Sequence, residues 1–316
     1  MRNYADEPNL HTRIYAMRSR LFSLRDYTLM IREPASMPGN ISNIQDPTRA
    51  KESLFRQQIA PVVNLAQAFE KYTPFFIANL RQYEAQNARI LLTRAAGHQA
   101  LEQWNDIGPF AALDRGLLEK KLSLDDVKSL LADIYLDDDF KTISSYRQLV
   151  IHLDICTARN LYHSGDLLSG AAVQEFREMM LKRLAVMTLI WSYRLRVNHR
   201  FKDDRIRFYM DKVHKLYGGK VWYRVSLEKE ALAEHLEQLR KDTGEEPSVA
   251  NIEHHLEQNY YAWITSVFHR DFHSIYCVVA YLWLLFYQIR NLFRIIDGRR
   301  FGMSQDAIIN RMICEA

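Results

Sequence analysis

Cysteine is scarce in this 316-residue sequence, which holds only Cys156, Cys277 and Cys314. The three are far apart in the chain and form no Cys-x-x-Cys pair, so the pattern excludes a disulfide framework and a zinc knuckle. An odd number of scattered thiols is typical of a reducing compartment. Because Asp6 and Arg13 interrupt the first residues before any apolar segment, we expect no signal peptide. These features predict a cytoplasmic protein.

Motifs of nucleotide chemistry and covalent catalysis are also absent. The sequence contains no glycine-rich phosphate loop, no serine nucleophile elbow and no kinase signature. We therefore expect no catalytic residue, no nucleotide site and no bound cofactor in this chain.

A weak histidine cluster is the best candidate for a metal site. His269, Asp271 and His273 lie close together, a short distance after His254 and His255. Two histidines four residues apart on a helix can share a metal with a carboxylate. However, no His-Glu-x-x-His motif is present, and an arginine stands inside the supposed ligand set. We therefore favour a polar helix face and keep a metal-dependent helical enzyme as a third functional hypothesis.

Only one long apolar run occurs. It extends from Ile275 to Tyr287 and ends at Gln288, well short of the about 20 residues that a membrane-spanning helix needs. From Ile289 onward the apolar residues recur at helical spacing, and Gly298 stands where a left-handed helix end is expected. The run predicts a helix buried in a soluble core, with no insertion into a membrane.

Strand patterns are close to absent, and the remainder of the chain has helical periodicity. With 48% apolar and 12% aromatic residues, the sequence predicts a folded all-α protein. One helix is expected from near Leu10 to about Ile31, followed by a proline-rich loop over Glu33–Thr48. Pro74 is expected to divide two helices, and Ser123 to cap another. Three longer predicted helices are Tyr146–Tyr162, Ala171–Val197 and Ser226–Leu239.

An internal repeat divides the chain. The segment Glu84–Gly97 resembles Gln288–Arg300, since each has a polar residue, two further residues, an asparagine and then an apolar run with arginine. Lys182–Arg196 is a weaker third copy. The corresponding slots hold Asn87, Ala185 and Asn291, which are 98 and 106 residues apart. This spacing exceeds the common solenoid periods and predicts three related lobes, residues 1–104, 105–200 and 201–316.

Asn87 and Asn291 fall on the apolar stripes of their predicted helices. Burying an amide without partners costs about 1 to 3 kcal/mol. We therefore expect each amide to form hydrogen bonds with the backbone of a neighbouring helix or turn, and we predict that both asparagines are structural residues.

The chain resembles the C-type subunit of archaeal and bacterial V/A-type rotary ATPases, whose counterpart in the eukaryotic V-type enzyme is the d-type subunit. Tyr15–Ile31, with its acidic-Tyr pair, is similar to the opening helix of that family, and the repeated Glu-x-x-Asn pattern is similar to its most recognisable motif. The pair Gly218 and Gly219 is similar to the turn before its third repeat. Gly298–Met312 resembles its closing glycine, serine cap and short helix. The resemblance covers nearly the whole chain.

This resemblance implies three similar helical lobes in a pseudo-threefold, funnel-like arrangement. It also implies a non-catalytic rotor subunit that couples the central stalk to the membrane proteolipid ring for proton or sodium transport. Its partners would be central-stalk subunits and the ring, and its attachment to the membrane would be peripheral. We expect a monomer in isolation. A general helical scaffold or adaptor is the alternative.

The charge is unevenly distributed although the net charge is only +4. From Arg177 to Arg224, thirteen basic residues stand against four acidic ones, and from Val225 to Tyr260 three stand against nine. Solvated helix faces account equally well for this asymmetry. No nucleic-acid module is recognisable, so we expect a protein partner and no nucleic acid. The candidate partner-binding residues are Arg194, Arg196, Arg200 and Lys202.

Overall fold

A computed structural model describes residues 6–43, 45–99, 103–216, 248–270 and 273–315, together with residues 237, 240 and 241. Over these residues the regular structure is helical and no strand occurs, which confirms the predicted all-α class. The helices are α1 (Asp6–Arg18), α2 (Leu24–Arg32), α3 (Pro47–Ala68), α4 (Thr73–Arg81), α5 (Glu84–Ala95), α6 (Leu124–Tyr135), α7 (Asp139–Thr142), α8 (Tyr146–His163), α9 (Ala171–Val197), α10 (Asp203–Leu216), α11 (Val249–Phe268), α12 (Ile275–Arg300) and α13 (Gln305–Ile309).

The apolar run lies in α12, the central helix of the larger apolar core. Ser274 begins this helix by accepting a hydrogen bond from the backbone N–H of Tyr276. α12 packs against α1, α3, α9 and α11. It is long and apolar enough to cross a membrane, but 83% of its most apolar 18-residue segment is buried inside the protein. Burial against these helices accounts for the hydrophobicity of the run.

The first predicted helix is two helices in the structure. α1 ends at Arg18 and α2 begins at Leu24, because Ser23 and Asp26 form a reciprocal capping box that starts a new helix. The prediction of a single helix from Leu10 to Ile31 was therefore wrong, because the chain leaves the helix between Arg18 and Leu24. The following loop is also shorter than predicted, since α3 begins at Pro47 with Asp46 as its N-cap.

The role predicted for Gly298 was also wrong. This residue lies inside α12 with helical geometry, and the left-handed residue after the helix is Gly302, with φ +64°. A Cβ atom on Gly298 would lie 2.6 Å from Cγ1 of Ile308 in α13. Glycine is required here because α13 packs closely on α12. Gly218 and Gly219 lie outside the described residues.

Two large apolar cores and a small cluster between α9 and α11, which includes Ile190 and Ile252, hold the described helices together. The larger one surrounds α12 and takes residues from each of the three predicted lobes. The second lies between α5, α6 and α8, with Phe140 and Leu149 fully buried in it. The boundaries of the three lobes and their pseudo-threefold arrangement stay predictions.

Candidate functional site

A cleft lies where the three predicted lobes meet. It consists of two adjoining cavities of about 500 and 540 Å³, which share Arg89, Asp154, Trp191 and Arg194. The first cavity is lined by α3 and α5 from the first predicted lobe, by α8 and α9 from the second, and by α11 and α12 from the third. All three lobes therefore contribute to one concave surface.

A buried ionic network forms the floor of this cleft. Arg183 of α9 donates to both carboxylate oxygens of Glu257 in α11, at 2.6 and 3.1 Å. The hydroxyl of Tyr287 donates to the same carboxylate, and Arg290 of α12 lies 3.3 Å from it. Burial alone would raise the pKa of Glu257, but Arg183, Arg290 and Tyr287 lower it to about 2. The network joins α9, α11 and α12.

Two further ion pairs lie where the cavities adjoin. Arg89 of α5 donates to Asp154 of α8, and Arg194 of α9 donates to Glu253 of α11 with a 2.7 Å bond from Nη2. Burial raises the pKa of the Asp154 carboxyl, although Arg89 acts in the opposite direction. These pairs connect helices of different predicted lobes across the cleft wall.

The arginines are the more exposed members of these pairs. In Arg89–Asp154, Arg194–Glu253 and Arg290–Glu257 the guanidinium is more accessible than the carboxylate. Lys51–Asp297 has the opposite arrangement. Over both cavities five Lys or Arg side chains stand against four Asp or Glu side chains. The cleft therefore presents a weakly cationic surface.

The four predicted partner-binding residues lie differently with respect to the cleft. Only Arg194 lines the cleft. Arg196 pairs with Asp203 at 3.1 Å, while Arg200 and Lys202 are exposed between α9 and α10. Their role in partner binding stays a prediction.

The basic and acidic segments partly neutralise each other. Two arginines of the basic segment, Arg183 and Arg194, pair with two glutamates of the acidic segment, Glu257 and Glu253. Their helices α9 and α11 pack side by side, so opposite charges in the two segments become neighbours. Complementary charge in two adjacent helical segments was the signal that could have revealed this contact.

Asn87 and Asn291 make the same pair of contacts in their two helices. The Asn87 amide donates to the backbone carbonyl of Asn105 at 2.9 Å and accepts from its N–H at 2.8 Å. The Asn291 amide donates to the backbone carbonyl of Ile313 at 2.8 Å and accepts from its N–H at 3.0 Å. The two side chains are 0% and 1% exposed. The backbone hydrogen bonds expected for these asparagines are therefore present.

The structure describes only part of the predicted histidine cluster. His269 is exposed at the end of α11 and His273 is exposed before α12, whereas Asp271 lies outside the described residues. His254 and His255 are half-buried within α11. The interpretation of His269, Asp271 and His273 as a polar helix face, with a metal site as the weaker alternative, stays a prediction. A different set, Asp137, His152 and Cys156, comes together among the described residues, and sequence reasoning missed it.

A family model described as ATP synthase (C/AC39) subunit matches residues 10–311 of the chain. A comparison with curated proteins finds no match. The family match includes all three copies of the internal repeat and every helix that lines the cleft.

Proposed function

Since the chain belongs to the ATP synthase (C/AC39) subunit family, we propose that it is a non-catalytic rotor subunit that receives the end of the central stalk in the cleft. In this role it couples the stalk to the membrane proteolipid ring for proton or sodium transport. It is cytoplasmic and attaches to the membrane through the complex.

The observation that carries this proposal is the position of the cleft. It lies where helices of all three predicted lobes meet, and its lining includes Tyr83, Trp191 and Phe286 besides the charged residues. Concave surfaces that combine aromatic and polar groups are typical of binding sites. An inserted stalk would contact every lobe at once, so torque on it would be distributed over the whole subunit.

The ionic network supports a mechanical role for the cleft. A buried pair resists separation because removing one partner leaves an uncompensated charge in a medium of low polarity. Glu257 connects Arg183 and Arg290, and so links three helices of the floor. These ion pairs therefore oppose separation of α9, α11 and α12.

The exposed guanidinium groups favour an acidic stalk end. Charged surfaces accelerate association, and salt at 0.15 M limits such effects to about 8 Å. We expect the association rate with the stalk to fall as salt is added.

Charge added to neutral residues of the cleft tests whether the stalk binds there. Gln82 and Gln86 line the cavity and are half-buried, and neither is part of an ion pair. We expect Gln82→Glu with Gln86→Glu to weaken stalk binding at least about tenfold, which corresponds to about 1.4 kcal/mol. Gln82→Lys with Gln86→Lys should strengthen it. Affinity is measured by titration of purified stalk subunits.

Arg200→Glu with Lys202→Glu tests the other candidate location, because these two predicted partner-binding residues lie on an exposed surface outside the cleft. If this variant weakens binding and the glutamine variants do not, the exposed basic surface is the binding site and the cleft is not.

The coupling role has a separate test. Removing the protein from the assembled complex should uncouple ATP hydrolysis from ion pumping, while the isolated catalytic head continues to hydrolyse ATP. A head that needs this chain for hydrolysis would contradict the proposal.

A further inference from the structure

Three side chains with metal-binding chemistry meet in the second apolar core, away from the cleft. Asp137 follows α6, and His152 and Cys156 lie one helical turn apart on α8. Residues at i and i+4 project from the same face of a helix, so the imidazole and the thiol face the turn that carries the carboxylate. His152 and Cys156 are buried, and Asp137 is nearly so.

Four candidate ligand atoms of these three side chains lie at separations typical of the ligands of a tetrahedral cation. His152 Nε2 lies 3.3 Å from Asp137 Oδ1 and 3.5 Å from Cys156 Sγ, and this sulfur lies 3.3 Å from Asp137 Oδ2. Zinc holds nitrogen and oxygen at about 2.0 Å and sulfur at about 2.3 Å, which places tetrahedral ligands roughly 3.3 to 3.6 Å apart. Because the imidazole and the thiol approach different oxygens of Asp137, a single cation fits once the carboxylate turns to place one oxygen toward both.

The backbone before Asp137 has an unfavourable conformation. Leu136 ends α6 with φ 50° and ψ 51°, a left-handed geometry that non-glycine residues seldom adopt, and its side chain is 88% exposed. The next N–H, that of Asp137, returns to the carbonyl of Ala132 at 3.0 Å. This bond pattern is the common Schellman ending of a helix, in which the left-handed residue is usually glycine. Here this ending accompanies the turn that places the Asp137 carboxylate over α8.

A second contact orients the carboxylate. Arg159, three residues beyond Cys156, donates to Asp137 Oδ2 at 2.6 Å and to the carbonyl of Tyr135 at 2.7 Å. Oδ1 faces His152 at 3.3 Å and also accepts from the backbone N–H of Asp139 at 3.0 Å. Hydrogen bonds from outside the ligand set commonly orient metal ligands in this way. The positive charge of Arg159 also opposes a cation, so we expect weaker binding than at a site with four cysteines.

We propose that Asp137, His152 and Cys156 bind one zinc-type divalent cation that fastens the turn after α6 to α8. The set of thiolate, imidazole and carboxylate suits zinc, and a water molecule completes four ligands. On binding, the Cys156 thiol releases its proton to solvent as the sulfur–metal bond forms. This inference does not depend on the proposed coupling function.

Cobalt(II) titration of the full-length protein tests the site. The protein is first treated with a chelator and a thiol reductant. We expect a single equivalent of cobalt(II) to produce a thiolate-to-metal absorption band in the near ultraviolet, and equimolar zinc(II) to abolish it. If the wild-type protein produces no such band, the proposal is wrong.

The other two cysteines provide matched controls, because Cys277 and Cys314 are also buried. The band should persist in Cys277→Ser and Cys314→Ser and be lost in Cys156→Ser. A band that persists in a folded Cys156→Ser variant would overturn the assignment.

A melting measurement covers the case in which Cys156→Ser does not fold. Zinc(II) should raise the melting temperature of the wild type and of Cys277→Ser by a few degrees, as expected for a ligand that binds only the folded state. Asp137→Asn should lose this shift. An equal shift in Asp137→Asn would place the metal elsewhere.

Discussion

The helices α5 and α12 carry two copies of one motif and use it differently. In both, the asparagine pairs with the N–H and the carbonyl of a single residue downstream, Asn105 for Asn87 and Ile313 for Asn291. Each amide thus fastens a chain segment to its helix through two backbone groups. The geometry of this contact is the same although the fastened segments differ in sequence.

The position three residues before each asparagine differs. Glu84 accepts from the N–H groups of Ala112 and Leu113, at 2.8 and 2.9 Å. Gln288 accepts from the N–H of Phe22 at 2.7 Å and donates to Gln58. Both side chains are buried acceptors of backbone hydrogen bonds, but only Glu84 can carry a charge. Burial raises the pKa of Glu84, although its two hydrogen bonds act in the opposite direction.

The third copy, in α9, has no such amide. Ala185 occupies the slot, and the helix is instead joined to α11 by the buried pair Arg183–Glu257. The comparison indicates that each copy keeps a polar contact to a neighbouring segment, while the residues that form this contact are exchangeable. The variants below test the comparison.

We expect Glu257→Ala to have the largest effect, a loss of about 3 to 5 kcal/mol in the free energy of unfolding, because Arg183 is left buried without a counter-charge. Urea denaturation at neutral pH measures it. Since the folded pKa of Glu257 is about 2, below the ordinary value of about 4.3, its stabilisation is present above pH 4.3 and is lost as the pH falls through 2. An unchanged acid transition in the variant would contradict this role.

Asn87→Leu and Asn291→Leu should each lower the free energy of unfolding by about 2 to 4 kcal/mol, because each leaves one backbone N–H and one backbone carbonyl buried without a partner. The cost at Asn291 should equal or exceed that at Asn87, since the backbone contacts and the burial are the same but Asn291 also accepts from Arg294 at 3.2 Å. Urea denaturation of both variants checks this. A large cost at one site only would show that the two copies are not equivalent. Intact stalk binding in the folded fraction would assign both residues to structure, and lost binding with unaltered melting would assign them to function.

Gly298→Ala should cost about 1 to 3 kcal/mol through overpacking against Ile308. Gly97, which follows α5, is the matched control because its φ is +75° and no heavy atom lies within 4 Å of an added Cβ. Gly97→Ala should cost only about 1 to 2 kcal/mol of backbone strain. In a double-mutant cycle, the loss of unfolding free energy caused by Gly298→Ala should be smaller in an Ile308→Ala background. The loss caused by Gly97→Ala should be the same in both backgrounds.

The smallest effect is expected for Glu84→Gln, within about 1 kcal/mol at neutral pH, because glutamine keeps an acceptor as Gln288 does. The folded pKa of Glu84 is raised, so the folded state holds more protons than the unfolded state between the two pKa values, and stability falls as pH rises through that window. Glu84→Gln should remove this dependence of the unfolding free energy on pH. Urea denaturation from pH 4 to 7 compares the two proteins, and identical slopes would be the contrary result.

Local signals in the sequence were sufficient for much of the fold. The helix Ala171–Val197 and the start of α6 at Ser123 agree with their predictions, because periodicity and capping act over a few residues. The break between α1 and α2 was missed although Ser23 and Asp26 are such a signal. Among the described cleft residues, Arg194 was predicted to bind a partner, but its pairing with Glu253 depends on how two helices pack.

The metal-ligand set illustrates the same limit. The spacing of His152 and Cys156 is visible in the sequence, whereas Asp137 is brought to them only by the turn at Leu136. No local pattern predicts that approach.

By itself the sequence determined the all-α class, the burial of α12 and the need of two buried amides for partners, since these follow from composition, periodicity and the cost of burying polar groups. The family is also evident in the sequence, through its resemblance to known members and the family match over residues 10–311. Tertiary structure alone decided which segments those amides fasten, why residue 298 is glycine, and where the cleft lies. These depend on contacts between residues far apart in the chain. Such contacts form only when helices pack, and the packing reflects all the surfaces together.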